Sequence, residues 1–185
     1  LWSAIDEGIS WTVDTMNDGL LATPFWIIIL LVAAFAYYLN AGTKSFTRAG
    51  FKKGVGIAGF IIFGFLLIYL MGYWKETIQT TTLVLVATLI ALLLGIPIGI
   101  WTARSKWADT LIRPLLDFMQ TMPAFVYLIP AIFFFSVGNT PGVIATIIFS
   151  LPPAVRLTKL GIQNVPGEVI EAGYAFGATE KQILY

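Results

Sequence analysis

Residues 80–103 read TTTLVLVATLIALLLGIPIGIWTA and contain no ionisable side chain. As a helix this run is about 36 Å long, more than the ~30 Å hydrocarbon core of a bilayer. The rest of the chain agrees with it. Of 185 residues, 58% are hydrophobic and 11% charged, with a mean hydropathy of +0.85. A soluble domain carries roughly a quarter charged residues and could not hide so much apolar side chain from water. Soluble enzymes, nucleic-acid binders and disordered tails are excluded. The net charge of +1 offers nothing to a polyanion, so no nucleic-acid partner is expected. The absence of Cys and His removes disulfides, thiolate chemistry, imidazole catalysis and most zinc sites, and no cofactor is expected.

Working outward, four more stretches are apolar enough to cross a membrane: residues 24–41, 55–74, 115–138 and 141–155. The expected fold is an all-α polytopic bundle with five spans. The last stretch reaches only about 22 Å. It must be met by a thinned bilayer, extended past Pro152-Pro153, or buried among its neighbours. The first 23 residues have no basic n-region and are not a signal peptide. Ile5, Ile9, Val13 and Met16, with Trp2 and Trp11, fit either an amphipathic helix along the outer surface or an ordered approach to the first span.

Charge placement orients the chain. Asp6, Glu7, Asp14 and Asp18 precede the first span, with no basic residue among them. Lys44, Arg48, Lys52, Lys53, Arg104, Lys106, Arg113, Arg156, Lys159 and Lys181 all fall on one face when the spans alternate, leaving only Lys75 opposite. By the positive-inside rule that face is cytoplasmic. The amino end is then outside and residue 185 inside a cell (inner or plasma) membrane. Asp117, one turn after Arg113, is expected to pair with it.

The middles of all five stretches lack Asp, Glu, Lys, Arg and His. Ion-coupled carriers generally keep such groups near the midplane, so a transporter of this kind draws its energy elsewhere. Gly95 and Gly99 flank Pro97, which suits close helix approach. Pro97, Pro123, Pro130 and Pro152-Pro153 are expected to interrupt three successive helices, as in a protein with a pathway. Trp26, Tyr37, Tyr38, Tyr69, Tyr73, Trp74, Trp101 and Trp107 lie near span ends, where an interfacial belt accounts for them better than a cation cage.

Residues 165–185, VPGEVIEAGYAFGATEKQILY, carry the most specific signal. Pro166-Gly167 opens a helix, with Glu168 and Glu171 in its first turns where the dipole favours negative charge. Val169, Ala172, Gly173 and Phe176 share one face, with small residues at its middle. Gly177 is placed as the residue after the helix end, and Thr179-Glu180-Lys181-Gln182 reads as a capping box opening a second helix.

Glu171-Ala172-Gly173-x-x-x-Gly177 resembles the first half of the EAA motif (E-A-A-x3-G-x9-I-x-L-P) of ABC importer permeases, with Gly for Ala at the third position. The runs from Arg113 to Asp117, Gln120 to Leu128 and Ile147 to Pro153, then Arg156-Leu157-Thr158 and Leu160-Gly161-Ile162, are similar to the glycine betaine/proline-type osmoprotectant branch. The resemblance covers about residues 77–185. It implies a type I permease fold and a second permease copy. It also implies cytoplasmic ATPase subunits that supply the power and an extracytoplasmic solute-binding protein. Glu171, Ala172, Gly173 and Gly177 are carried over as ATPase-contact residues of the coupling helix. The chain has no phosphate-binding loop of its own, so it is not expected to hydrolyse ATP. Another small solute, such as an amino acid, remains open, as does an ion-coupled carrier of a different class. The expected organisation is residues 1–23 as an extracytoplasmic amphipathic segment and 24–76 as two spans. Residues 77–158 follow as the start of the permease core and 159–185 as a truncated coupling segment. Leu1 and Tyr185 are read as trimmed ends, with I-x-L-P and further spans expected beyond.

Overall fold

The computed structural model describes residues 2–41, 48–179 and 182–183, with 41 and 48–53 by backbone alone. Eight helices hold nearly all of the described residues: α1 (Trp2–Ala22), α2 (Phe25–Ala41), α3 (Arg48–Leu70), α4 (Trp74–Arg104), α5 (Lys106–Thr121), α6 (Ala124–Phe135), α7 (Asn139–Gln163) and α8 (Gly167–Ala175). Lys44, Lys181 and Glu180 of the charge and capping arguments lie outside the described residues. So do the side chains of Arg48, Lys52 and Lys53.

Helix length and hydropathy make α4 and α7 competent to cross a bilayer, and up to four crossings result if the bent pairs α1–α2 and α5–α6 each make one. α3 contributes 17 apolar residues, Gly54–Leu70, about 26 Å of helix. The protein is an all-α multi-pass membrane bundle, but five separate full-length spans are not what its helices present.

Two corrections follow for the prolines. The expected fourth span, residues 115–138, is not one helix: α5 and α6 meet at a 96° bend. Met122 sits before Pro123 in an extended conformation (φ −93°, ψ 139°), because the proline ring disfavours helical geometry in the residue ahead of it. α6 then has only 12 residues, about 18 Å. Conversely, Pro97 lies inside α4 and Pro130 inside α6, and α7 runs continuously through Pro152-Pro153. The short fifth stretch therefore reaches a crossing length by extension, to 25 residues.

The chain divides into two compact units, residues 7–83 and residues 84–185 with the first six. In the former, α2 and α3 form the main contact. Phe25 stacks on Tyr69 at a centroid distance of 3.9 Å, and Trp74 stands edge-on to both at 6.1 and 6.2 Å. Tyr69 and Trp74 thus pack against other rings as well as marking span ends. α1 and α2 meet at 100°, where Pro24 starts the second helix. α3 ends in a Schellman motif: Tyr73 N–H donates to Ile68 O and Gly72 N–H to Tyr69 O, with Gly72 at φ +82°.

In the other unit, α7 packs on α6 and α5. Val143, Val155, Pro141 and Pro152 are fully buried there. A Cβ added at Gly95 would lie 2.7 Å from Ala154 Cβ, and one at Gly99 would lie 2.6 Å from Thr158 Cβ and 2.8 Å from Val155 O. The two glycines thus bring α4 into near-backbone contact with α7, as their spacing suggested.

Candidate coupling segment and its stem

Three residues, Asn164-Val165-Pro166, separate α7 from α8. Asn164 N–H donates to Leu160 O, and Val169 N–H donates to Pro166 O, so hydrogen bonding resumes at once on either side of the turn. α8 ends in a second Schellman motif. Ala178 N–H donates to Gly173 O at 3.0 Å and Gly177 N–H to Tyr174 O at 2.9 Å, with Gly177 at φ +80°. Gly177 holds the place expected of it. Gln182 Oε1 accepts from Thr179 N–H at 2.8 Å, one arm of the expected capping box, and Ile183 N–H returns to Thr179 O.

No residue of α8 is buried. Glu171, Ala172 and Gly177 are exposed, and Phe176 at the helix end is 93% exposed. Val169 and Tyr174 are also exposed. Gly173 differs. A Cβ there would stand 3.3 Å from Ile183 Cγ1, so part of the small-residue face is covered by the chain itself. The open apolar surface is centred on Val169, Ala172 and Phe176, with Gly173 serving the return of the following turn.

The stem bearing α8 carries charges that sequence reading paired differently. Arg113 donates to Asp109 Oδ2 at 2.7 Å, not to Asp117. Lys159 Nζ reaches the other oxygen of Asp109, and Arg156 donates to Asp117. Asp109 and Asp117 both lie one turn from Arg113, so local spacing could not choose between them; the basic residues of α7 do. Hydrogen bonding from Lys159, with the charges of Lys159 and Arg113, holds the Asp109 carboxyl below the usual carboxylate range against a smaller opposing effect of burial. Asp109 precedes the apolar stretch that begins at Leu115. These side chains, with Thr102, Leu116 and Val155, line an open cleft of about 340 Å³. Among the described residues, no group of His, Cys, Asp or Glu is arranged to hold a metal ion.

A multi-pass helical membrane protein with an exposed helix at the end of a long apolar one is the class these features define. The chain belongs to the family of binding-protein-dependent transport system inner membrane components, whose model matches residues 95–185. It is 43% identical over 184 residues to the glycine betaine transport system permease protein OpuAB of Bacillus subtilis (strain 168), which covers all of this chain and 61% of that protein. It is 44% identical over 184 residues to the glycine betaine/carnitine transport permease protein GbuB of Listeria monocytogenes serotype 1/2a (strain 10403S), covering all of this chain and 62% of the relative. Against the glycine betaine/proline betaine transport system permease protein ProW of Escherichia coli (strain K12) the identity is 42% over 183 residues, 97% of this chain and 48% of the relative. The chain thus spans about half to three-fifths of the length of these proteins. The likeness reaches beyond residues 77–185 to include α1, α2 and α3.

Proposed function

We propose that this chain is part of the membrane-spanning permease of an ATP-binding cassette importer for small osmoprotectants of the glycine betaine and proline betaine type. Cytoplasmic ATPase subunits drive it, and an extracytoplasmic binding protein supplies the solute. The observation that supports this most directly is the end-to-end likeness to betaine permeases in a chain whose Glu171-Ala172-Gly173-x-x-x-Gly177 segment is an exposed, Schellman-capped helix. In this reading α8 is the coupling helix and its open face seats in a cleft of the ATPase. The permease works as a pair of copies. α1 lies along the outer surface, and α2, α3, α4, the bent α5–α6 pair and α7 make five crossings. The amino end is then outside and α8 in the cytoplasm, with the basic residues of α5 and α7 on the cytoplasmic side.

The midplane stretches lack ionisable groups, so energy enters through the partner. The test is betaine uptake by the full-length protein reconstituted with its ATPase and binding protein. Uptake should persist when the proton gradient is collapsed at constant ATP and stop when ATP is withheld. Uptake that follows the gradient at constant ATP would instead identify an ion-coupled carrier.

A further inference from the structure

On its amino-terminal side α8 joins the membrane through the last three turns of α7. That stem is held on two sides. Toward α4, Gly95 and Gly99 leave no room for even a methyl group against Ala154, Val155 and Thr158. Toward α5, two ion pairs bridge residues far apart in sequence, Lys159 with Asp109 and Arg156 with Asp117. The Lys159 and Asp109 side chains are only 16% and 23% exposed, so this tie is poorly screened by solvent. The two ties are about 12 Å apart along α5 and about 4.5 Å apart along α7. Two attachments of unequal spacing fix the angle between the helices as well as their separation. Beyond them α5 ends at Met122, where the helical ladder is interrupted and the chain turns by 96°. Tyr127 OH bridges that interruption by donating to the carbonyls of Phe118 and Met119, at 3.3 and 3.2 Å.

We propose that Asp109, Asp117, Arg156 and Lys159 are positioning residues that make α5 follow α7. Movement of α8 is then delivered as a rigid displacement to the bend at Met122–Pro123. The inference rests on reading α8 as the coupling helix. The exposed Arg156–Asp117 pair contributes little to folding, so its role lies in keeping the helices in register while the stem moves. Among the described residues Arg156 and Asp117 form a pair with no third member, which makes this tie the cleaner one to reverse.

The experiment uses the full-length protein assembled with its ATPase and binding protein, and reads the ATPase recovered, ATP hydrolysis, and solute transported per ATP. Asp117→Lys and Arg156→Glu should each keep ATPase recovery and lower solute per ATP at least fivefold. The double reversal should return to within twofold of the parent. Single variants that transport normally, a double variant no better than either single, or singles that shed the ATPase would each overturn the inference. A second arm places cysteines at 117 and 156, in a full-length protein cleared of any other cysteine (these 185 residues carry none), and joins them with a bismaleimide. Linking should bring uptake to within twofold of the parent, as a block that moves together requires. Arrest on linking overturns it, since the helices would then have to part in each cycle. If the parent complex shows no ATP-dependent uptake, the importer reading falls and this inference with it. Parent uptake with unaffected variants removes the inference alone.

Discussion

Gly99 is the residue at which the packing is least forgiving. Any β-carbon there meets a side-chain carbon at 2.6 Å and a carbonyl oxygen at 2.8 Å, both on α7. Relief requires the two helices to separate. Overpacking of this kind costs about 1–3 kcal/mol, so Gly99→Ala should lower the thermal midpoint in detergent clearly. Gly161→Ala serves as the control, because nothing lies within 4 Å of its would-be Cβ and alanine is the better helix former. Equal midpoints for both variants would refute the seam. Asp109 gives a pH prediction whose sign follows from its depressed pKa. Its contribution is fully present above the ordinary carboxylate range and is lost as pH falls through the lowered folded value. The stability gap between the parent and Asp109→Asn should therefore be flat above about pH 5 and close in stronger acid. Denaturation midpoints measured across that range check it.

At the scale of elements, α8 separates two roles that the sequence merges. Phe176 and Val169 are open to a partner, whereas Gly173 faces Ile183. Phe176→Ala should leave the helix and its Schellman cap in place while reducing ATPase recovery. Large exposed aromatics of this sort carry interface energy of about 2 kcal/mol or more, a loss of some thirtyfold in association. Gly173→Leu should also reduce recovery, by displacing Ile183 and opening the following turn. Gly173→Ala asks only a small shift of a flexible side-chain end. Co-purification of the ATPase with each variant decides the matter, and full recovery with Phe176→Ala would remove that residue from the docking surface. The cap of α8 was legible beforehand because it is local: Gly177 needs φ +80°, a geometry open to glycine without strain. The choice among proline breaks was not. Pro123 is exposed at a break, while Pro152 is buried within a continuous α7. Whether a lost N–H bends a helix depends on the surroundings that hold it, and those are supplied by other elements.

At the scale of the whole molecule, the orientation argued from the basic residues can be tested with single cysteines. Thr140 would be a poor reporter, being only 3% exposed, so the exposed Asn139 takes its place, with Lys106 on the opposite side. A membrane-impermeant thiol reagent added to intact cells should label Asn139→Cys and spare Lys106→Cys. Labelling of Lys106→Cys from outside would invert the topology and put α8 where no ATPase could reach it.

By itself the sequence determined that this protein lives in a membrane as helices, and where α2, α4 and α8 end. It also located the exposed helix that is proposed to meet a partner. Each of these follows from hydropathy, helix period or the chemistry of a few adjacent residues, all of which act over one or two turns. Only the tertiary structure decided which carboxylate Arg113 takes and that Lys159 and Arg156 tie α7 to α5. It alone showed that α5 and α6 part at Pro123 while α7 runs on, and that Ile183 covers Gly173. These outcomes join residues up to 50 positions apart. Local spacing leaves such choices nearly equal in energy, and the neighbour that arrives from elsewhere in the chain settles them.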